Sequence, residues 1–128
     1  MSIRPCSAHY PATEMISLAY AITIQLSRRR LLLYKDGSLL RSWPVGVGKN
    51  ATPTPQGRYT IANKRPRPGG PFGAMWLGLS QPGYGIHGTN NPSSIGGLVS
   101  KGCIRMYNQD VLALAGLVPV GTPVTITS

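Results

Sequence analysis

Alternation of apolar and polar residues predicts β-strands through most of the chain. Tyr20, Ile22, Ile24 and Leu26 alternate with small or polar residues, which is the period-2 pattern of a half-buried strand. Apolar runs and alternation predict further strands over 30–34, 39–47, 58–62, 75–79, 84–87 and 124–127. Between the second and third strands, Asp36-Gly37 predicts a hairpin turn, because these residues accept positive φ angles.

One segment near the C-terminus predicts a helix. Asn108 is a favourable N-cap, and Asp110 lies in the first turn, where its charge complements the helix dipole. We expect Gly116 and Pro119 to end the helix. The apolar face comprises Val111, Leu112, Leu114, Ala115 and Val118.

The remaining segments predict connections. Residues 65–73 hold three prolines and three glycines, so a long exposed loop is expected there. Residues 1–17 have no period and are interpreted as a tail or linker before a domain over 18–128. The fold class predicted is mainly β: a closed or sandwich-like mixed sheet with one principal α-helix near the C-terminus.

Composition fits one small folded domain. The 128 residues are 41% hydrophobic and 12% charged, which argues against disorder. No segment reaches the roughly 20 apolar residues of a membrane span. The apolar stretch 16–24 contains Ser17, Tyr20 and Thr23 and has no convincing cleavage site after it, so no secretory signal is expected.

The charge is strongly positive. Thirteen Lys and Arg oppose three acidic residues, for a formal net charge of +10. The cations are spread along the chain, which favours a solvated basic face over a dedicated nucleic-acid stripe. An anionic polymer such as a bacterial wall would suit this charge equally well.

Cys103 and His87 are the candidate reactive residues. An imidazole near a thiol can take its proton and lower its pKa, and Gly102 before the cysteine would let main-chain N–H groups of 102 and 103 bind an oxyanion. Because no carboxylate is suitably placed, a backbone carbonyl near Gly88 is expected to orient the imidazole. A buried apolar thiol and a structural histidine are the alternatives. Both Cys103 and Cys6 are expected to be free thiols.

Several neighbours could bind substrate. Arg105 lies two residues beyond the cysteine on an extended strand, so its guanidinium could clamp a carboxylate, or it could be a surface cation. Trp76, Tyr84 and Phe72 could wall a cleft or simply belong to the core. One His and one Cys in the predicted domain are too few for a zinc site, and no metal or cofactor is expected.

Two motifs together resemble the active-site signature of YkuD-like L,D-transpeptidases: residues 86–90 (IHGTN) and 100–106 (SKGCIRM). Segments 44–49, 52–57, 68–73, 108–110 and 121–124 are similar to further motifs of that family, in the same order. The resemblance covers roughly 18–128. One departure is Lys101, which stands where many members carry a second histidine.

The resemblance implies a two-step reaction on peptidoglycan. Cys103 would attack the bond between the third residue of a tetrapeptide stem and its terminal D-Ala, while His87 moves the proton and Gly102 and Gly88 support the site. A neighbouring stem amine would then resolve the thioester into a 3-3 cross-link. Carbapenems are expected to acylate Cys103. The substrate contacts expected are Arg105, Ser100, Tyr84, Trp76, Thr89 and Asn90.

Other functions stay open at this point. Water in place of the amine would give an L,D-carboxypeptidase, and a catalytically weak peptidoglycan-binding domain would keep only the basic surface and the cleft. A nucleic-acid-binding module rests on charge alone, and nucleic acid is not an expected partner. The expected partners are peptidoglycan stems and anionic wall polymer. We expect the protein to be a monomer and to act at the cell wall or another extracytoplasmic site, including a spore.

Overall fold

The computed structural model describes residues 20–128 and is mostly β. Within this range there is one α-helix, α1 (Asn108–Leu117), and two 3-10 turns, Gly70–Phe72 and Pro92–Ser94. The tail or linker predicted over 1–17 lies outside the described residues. The strands in chain order are β1 (Tyr20–Gln25), β2 (Arg30–Lys35), β3 (Ser38–Pro44), β4 (Val47–Gly48), β5 (Gly57–Pro66), β6 (Met75–Leu79), β7 (Gly85–His87), β8 (Leu98–Ser100), β9 (Ile104–Arg105) and β10 (Pro123–Thr127).

Eight of the strands form one mixed sheet that curls on itself. Their order is β3-β2-β1-β10-β5-β6-β7-β9, with β1/β10 and β7/β9 parallel. Gly46, just beyond the edge strand β3, exchanges two hydrogen bonds of 2.8 Å with Arg105 in the opposite edge strand β9. The sheet therefore closes edge to edge, and β4 and β8 pair separately beside it. The predicted fold class is confirmed.

The core lies inside this curled sheet. Alternate residues of β1 and β2 are almost fully buried, such as Ile22, Ile24 and Leu33, as period-2 alternation requires. α1 packs against β6 and β7 through buried residues including Val111 and Leu114. No helix within residues 20–128 is long and apolar enough to cross a membrane.

The predicted third strand is too long. It ends at Pro44 rather than at residue 47, because its partner β2 begins at Arg30, which pairs with Pro44. Val45 N–H then binds Arg29 O, and Gly46 leaves for β9. The turn at Asp36-Gly37 forms as predicted, with φ of 52° and 82°.

The predicted loop over 65–73 is too long as well. Arg65 and Pro66 extend β5, because Trp76 and Met75 of β6 supply pairing partners there. Pro66 is tolerated since it is the last residue of its strand. The rest of the segment is not wholly irregular, because it contains the 3-10 turn Gly70–Phe72.

The helix prediction is correct in place and wrong at its ends. Tyr107 is the N-cap, Asn108 is already helical, and Gly116 lies inside the helix, which ends at Leu117. Leu112, assigned to the apolar face, is 47% exposed. The Asn108 side chain does not cap the helix but forms hydrogen bonds with Ala74 and Thr89 beside the candidate site.

Candidate active site

Two neighbouring strands bring the candidate base and nucleophile to one face. In the parallel pair β7/β9, His87 lies opposite Arg105. Cys103 comes two residues before Arg105, so an extended backbone directs both side chains to the same side. His87, Cys103 and Arg105 line one cleft of about 320 Å³, together with Pro71, Phe72, Ser100 and Lys101.

The His87 imidazole is buried and fixed on one edge. Its Nδ1 lies 2.5 Å from Gly88 O, so Nδ1 carries the proton and donates to that carbonyl. Trp76 stacks on the ring at a centroid distance of 5.5 Å, and Phe72 meets it edge-on at 5.2 Å. The main-chain contact expected near Gly88 is present, and Nε2 is left with a lone pair.

Burial sets the protonation state of His87. Removal from water lowers the pKa of the imidazole, and the Arg105 charge acts in the same direction, while the hydrogen bond to Gly88 opposes both. Since the pKa falls below the usual value near 6.5, the ring is neutral at neutral pH. A neutral imidazole can accept a proton at Nε2.

The Cys103 thiol is half-buried, and burial raises its pKa. The main chain of Gly85 and the charge of Arg105 oppose this shift without reversing it. The thiol lies 3.7 Å from Gly83 O, which it can approach as a weak donor. The sequence-based expectation of a lowered pKa is therefore wrong: the resting pair is a neutral thiol beside a neutral imidazole. Such a thiol needs a base at the moment of attack.

Gly102 has a conformation that only glycine adopts without strain. Its φ is +124°, and a Cβ atom there would lie 2.6 Å from Cε1 of Tyr84. The turn is held by Ser100, whose Oγ accepts from Gly102 N–H at 3.1 Å and donates to Cys103 O at 2.6 Å. Ser100 lines the cleft, yet its hydroxyl is occupied within the turn.

The same hydrogen bond changes which amide can bind an oxyanion. Gly102 N–H was expected to help, but here it already donates to Ser100 Oγ. Among the described residues, no hydrogen-bond partner is found for Cys103 N–H. The Cys103 amide is therefore the better candidate donor to a negative oxygen formed beside its own sulfur.

Four predicted substrate contacts lie outside the residues that line the cleft. Trp76 packs behind His87, and Tyr84 packs against the Gly102 turn. Thr89 is buried, and its Oγ1 accepts from Asn91 N–H at 2.9 Å. Asn90 is exposed beyond the cleft. The first three contact residues that build the site, and their contact with substrate stays a prediction.

Asn108 was missed as part of the site, because its place before an apolar run predicts only a helix cap. Its Oδ1 accepts from Ala74 N–H at 3.0 Å and Thr89 N–H at 3.1 Å, and its Nδ2 donates to Thr89 O at 3.1 Å. Pro71 was missed too. Since these contacts join segments far apart in sequence, no local pattern signals them.

The cleft is positively charged. Arg105 and Lys101 both line it, and none of its lining residues within 20–128 is acidic. Arg105 is held by its main-chain bonds to Gly46, whereas Lys101 is exposed. An anionic group, such as a carboxylate, is the complementary ligand.

Comparisons with known proteins show the family to which the chain belongs. The family model of the L,D-transpeptidase catalytic domain (YkuD) matches residues 19–126. The protein named as L,D-transpeptidase YkuD of Bacillus licheniformis is 57% identical over 111 residues, which cover 87% of this chain and 67% of that protein.

Solved structures show the same fold. The catalytic domain of the Enterococcus faecium L,D-transpeptidase superposes with a TM-score of 0.73 at 28% identity, covering 84% of this chain and 96% of that one. The L,D-transpeptidase LdtMt1, solved in complex with imipenem, gives a TM-score of 0.74 at 22% identity over 85% of this chain and 59% of that one. With a family model matched from residue 19 to residue 126, the chain belongs to the L,D-transpeptidase family.

Proposed function

We propose that this domain is a cysteine-dependent L,D-transpeptidase that acts on tetrapeptide stems of peptidoglycan through a thioester on Cys103. The observation that carries the proposal is that His87, at the end of β7, and Cys103, just before β9, line the same cleft, with His87 Nδ1 hydrogen-bonded to Gly88 O. That hydrogen bond leaves Nε2 as the acceptor for the thiol proton.

The first half-reaction forms the acyl-enzyme. Cys103 Sγ attacks the carbonyl carbon that joins the third stem residue to the terminal D-Ala, and its proton passes to His87 Nε2. The carbonyl oxygen becomes an oxyanion, which the Cys103 N–H stabilises. When the C–N bond breaks, His87 returns the proton to the amine of D-Ala, which leaves, and a thioester remains.

The second half-reaction releases the enzyme. A side-chain amine of a neighbouring stem attacks the thioester carbonyl and gives a proton to His87. The C–S bond then breaks, and His87 returns that proton to Cys103, which leaves a 3-3 cross-link. Water as the attacking group would instead release a tripeptide. The ratio of tripeptide to cross-linked product therefore measures how well the cleft excludes water.

The cleft charge supports an anionic donor. Arg105 and Lys101 line the cleft with Cys103, and no carboxylate of the described part of the chain lines it. A tetrapeptide stem carries free carboxylates that could pair with these cations. We place the action of this domain outside the cytoplasm, where peptidoglycan lies, and expect the +10 chain to adhere to anionic wall polymer as a monomer.

Purified disaccharide-tetrapeptide provides the test. The protein should release D-Ala and produce cross-linked dimers, both measured by mass spectrometry. Cys103→Ala should abolish both products, and Cys103→Ser controls for the shape of the site. Tripeptide as the main product would identify a carboxypeptidase, and sacculus binding without any product would identify a binding domain.

A further inference from the structure

The Asn108 amide joins three segments around the cleft. It lies at the first residue of α1, and its hydrogen bonds reach Thr89 after β7 and Ala74 before β6. Thr89 follows Gly88, whose carbonyl holds the His87 ring. The Ala74 segment follows the 3-10 turn that carries Phe72. One side chain thus ties the support of the imidazole to the loop that bounds it.

Two glycines leave room for this amide. A Cβ atom at Gly73 or at Gly88 would collide with Asn108 Oδ1. At position 73 the backbone conformation also favours glycine, because φ is +64°. Gly88 is not among the residues with positive φ. Contact with the Asn108 amide, and with Ala74 N at 2.9 Å, is therefore the reason that a side chain is excluded at Gly88.

Helix capping does not account for Asn108. The N-cap is Tyr107, and no side-chain hydrogen bond caps this helix. The amide oxygen and nitrogen are directed instead at three main-chain groups of two other segments. Such a set uses both the acceptor and the donor of an asparagine, so few other side chains could supply it.

We propose that Asn108 is a positioning residue for His87: it fixes the Gly88-Thr89 peptide so that Gly88 O selects the imidazole tautomer with hydrogen on Nδ1. The role rests on the proposed function, since it matters for catalysis only if His87 is the base. Tautomer selection by the partner of the opposite ring nitrogen is a general property of histidine. Without the hydrogen bond from Nδ1 to Gly88 O, the ring proton would be distributed over both nitrogens, and Nε2 would carry the lone pair in only part of the molecules.

Kinetics and the tautomer test the proposal separately. Loss of orientation by about 1 Å costs on the order of 100-fold in rate, so we expect Asn108→Ala to lower kcat by about 10- to 100-fold while KM changes less than about threefold. In ¹⁵N-histidine spectra His87 should lose its preference for Nδ1–H. The chain has only two histidines, and a His9→Gln background leaves His87 as the single signal.

Leu117→Ala is the matched stability control. Leu117 packs partly buried at the opposite end of α1, about 14 Å from Asn108 at 1.5 Å per residue. Leu117→Ala should lower Tm about as much as Asn108→Ala does, while kcat and the preference for Nδ1–H stay at the wild-type values. If Asn108→Ala does not fold, Asn108→Asp replaces it, because Asp can still accept the two bonds from Ala74 and Thr89 N–H, whereas its second oxygen would face Thr89 O with no hydrogen to donate. A kcat loss of about threefold or more is expected.

The results divide clearly. A tautomer shift confined to Asn108 variants, with the kcat loss, supports the proposal. Wild-type kcat and Nδ1–H preference in Asn108→Ala, or equal losses in Leu117→Ala, would overturn it. If the wild-type protein has no transpeptidase activity, the proposed function fails. The ¹⁵N spectra alone then still decide whether Asn108 determines the tautomer of His87.

Discussion

His87 and Arg105 lie opposite each other across the parallel strands β7 and β9, and both side chains face the cleft that holds Cys103. The guanidinium lowers the pKa of His87 and opposes the rise in the pKa of Cys103. One cation therefore lowers the pKa of the proposed base and opposes the rise in the pKa of the proposed nucleophile, in addition to any contact with substrate.

The acid limb of the wild-type pH profile should lie below the usual pKa of an imidazole. Burial lowers the pKa of His87 below its usual value near 6.5, and the imidazole accepts a proton only when neutral. We expect kcat/KM to fall as pH drops through that lowered pKa, so the acid limb is centred below pH 6.5. An acid limb centred above pH 6.5 would contradict this assignment.

Replacement of Arg105 should shift the profile. Arg105→Met removes a positive charge, so protonated His87 becomes easier to form and its pKa rises, and the acid limb of kcat/KM moves to higher pH. If Arg105 also binds a substrate carboxylate, KM should rise about tenfold, equivalent to about 1.4 kcal/mol. Imipenem acylation across pH checks the shift without the natural substrate. An unmoved acid limb would contradict the electrostatic role.

Gly102→Ala should damage the turn before the nucleophile. Positive φ and the contact with Tyr84 together predict a loss of about 1–3 kcal/mol in the free energy of unfolding and slower acylation of Cys103. Gly96→Ala is the control, because Gly96 also has a positive φ, +91°, but the place of its added Cβ is open space. Equal effects of the two substitutions on acylation would show that the Tyr84 contact has no part in the loss.

Ser100→Ala separates a structural role from substrate binding. The substitution leaves Gly102 N–H without its acceptor and Cys103 O without its donor, so we expect unfolding free energy to fall by about 1–3 kcal/mol and kcat to fall with little change in KM. Ser93→Ala, which removes an exposed hydroxyl bonded to Asn91, should alter neither. A raised KM with unchanged stability would instead indicate that Ser100 binds substrate.

Local patterns were enough for most of the strands and for the motif that carries Cys103. Alternation at Ile22 and Ile24 reports burial on one side of a strand, and Asp36-Gly37 reports a turn, because both depend on neighbours within a few residues. The motif around Cys103 likewise lies within seven residues of chain. These features could be predicted because their causes are local.

The remaining features depend on pairing between distant segments. The strand that stops at Pro44 does so because its partner begins at Arg30. The raised pKa of Cys103 reflects burial by the completed fold, and the bonds of Asn108 reach 19 and 34 residues along the chain. Periodicity carries no record of such contacts, which is why the hydrogen bonds of Asn108 and the burial of the Cys103 thiol were not predicted.

The central claim is that Cys103 carries the acyl group. Intact-protein mass spectrometry after brief incubation with disaccharide-tetrapeptide and acid quenching measures this directly, and peptide mapping locates the added mass. We predict a gain equal to the substrate minus D-Ala, located on Cys103 and absent in Cys103→Ala. Release of D-Ala by Cys103→Ala at the wild-type rate, or an acyl group found on another residue, would contradict the account.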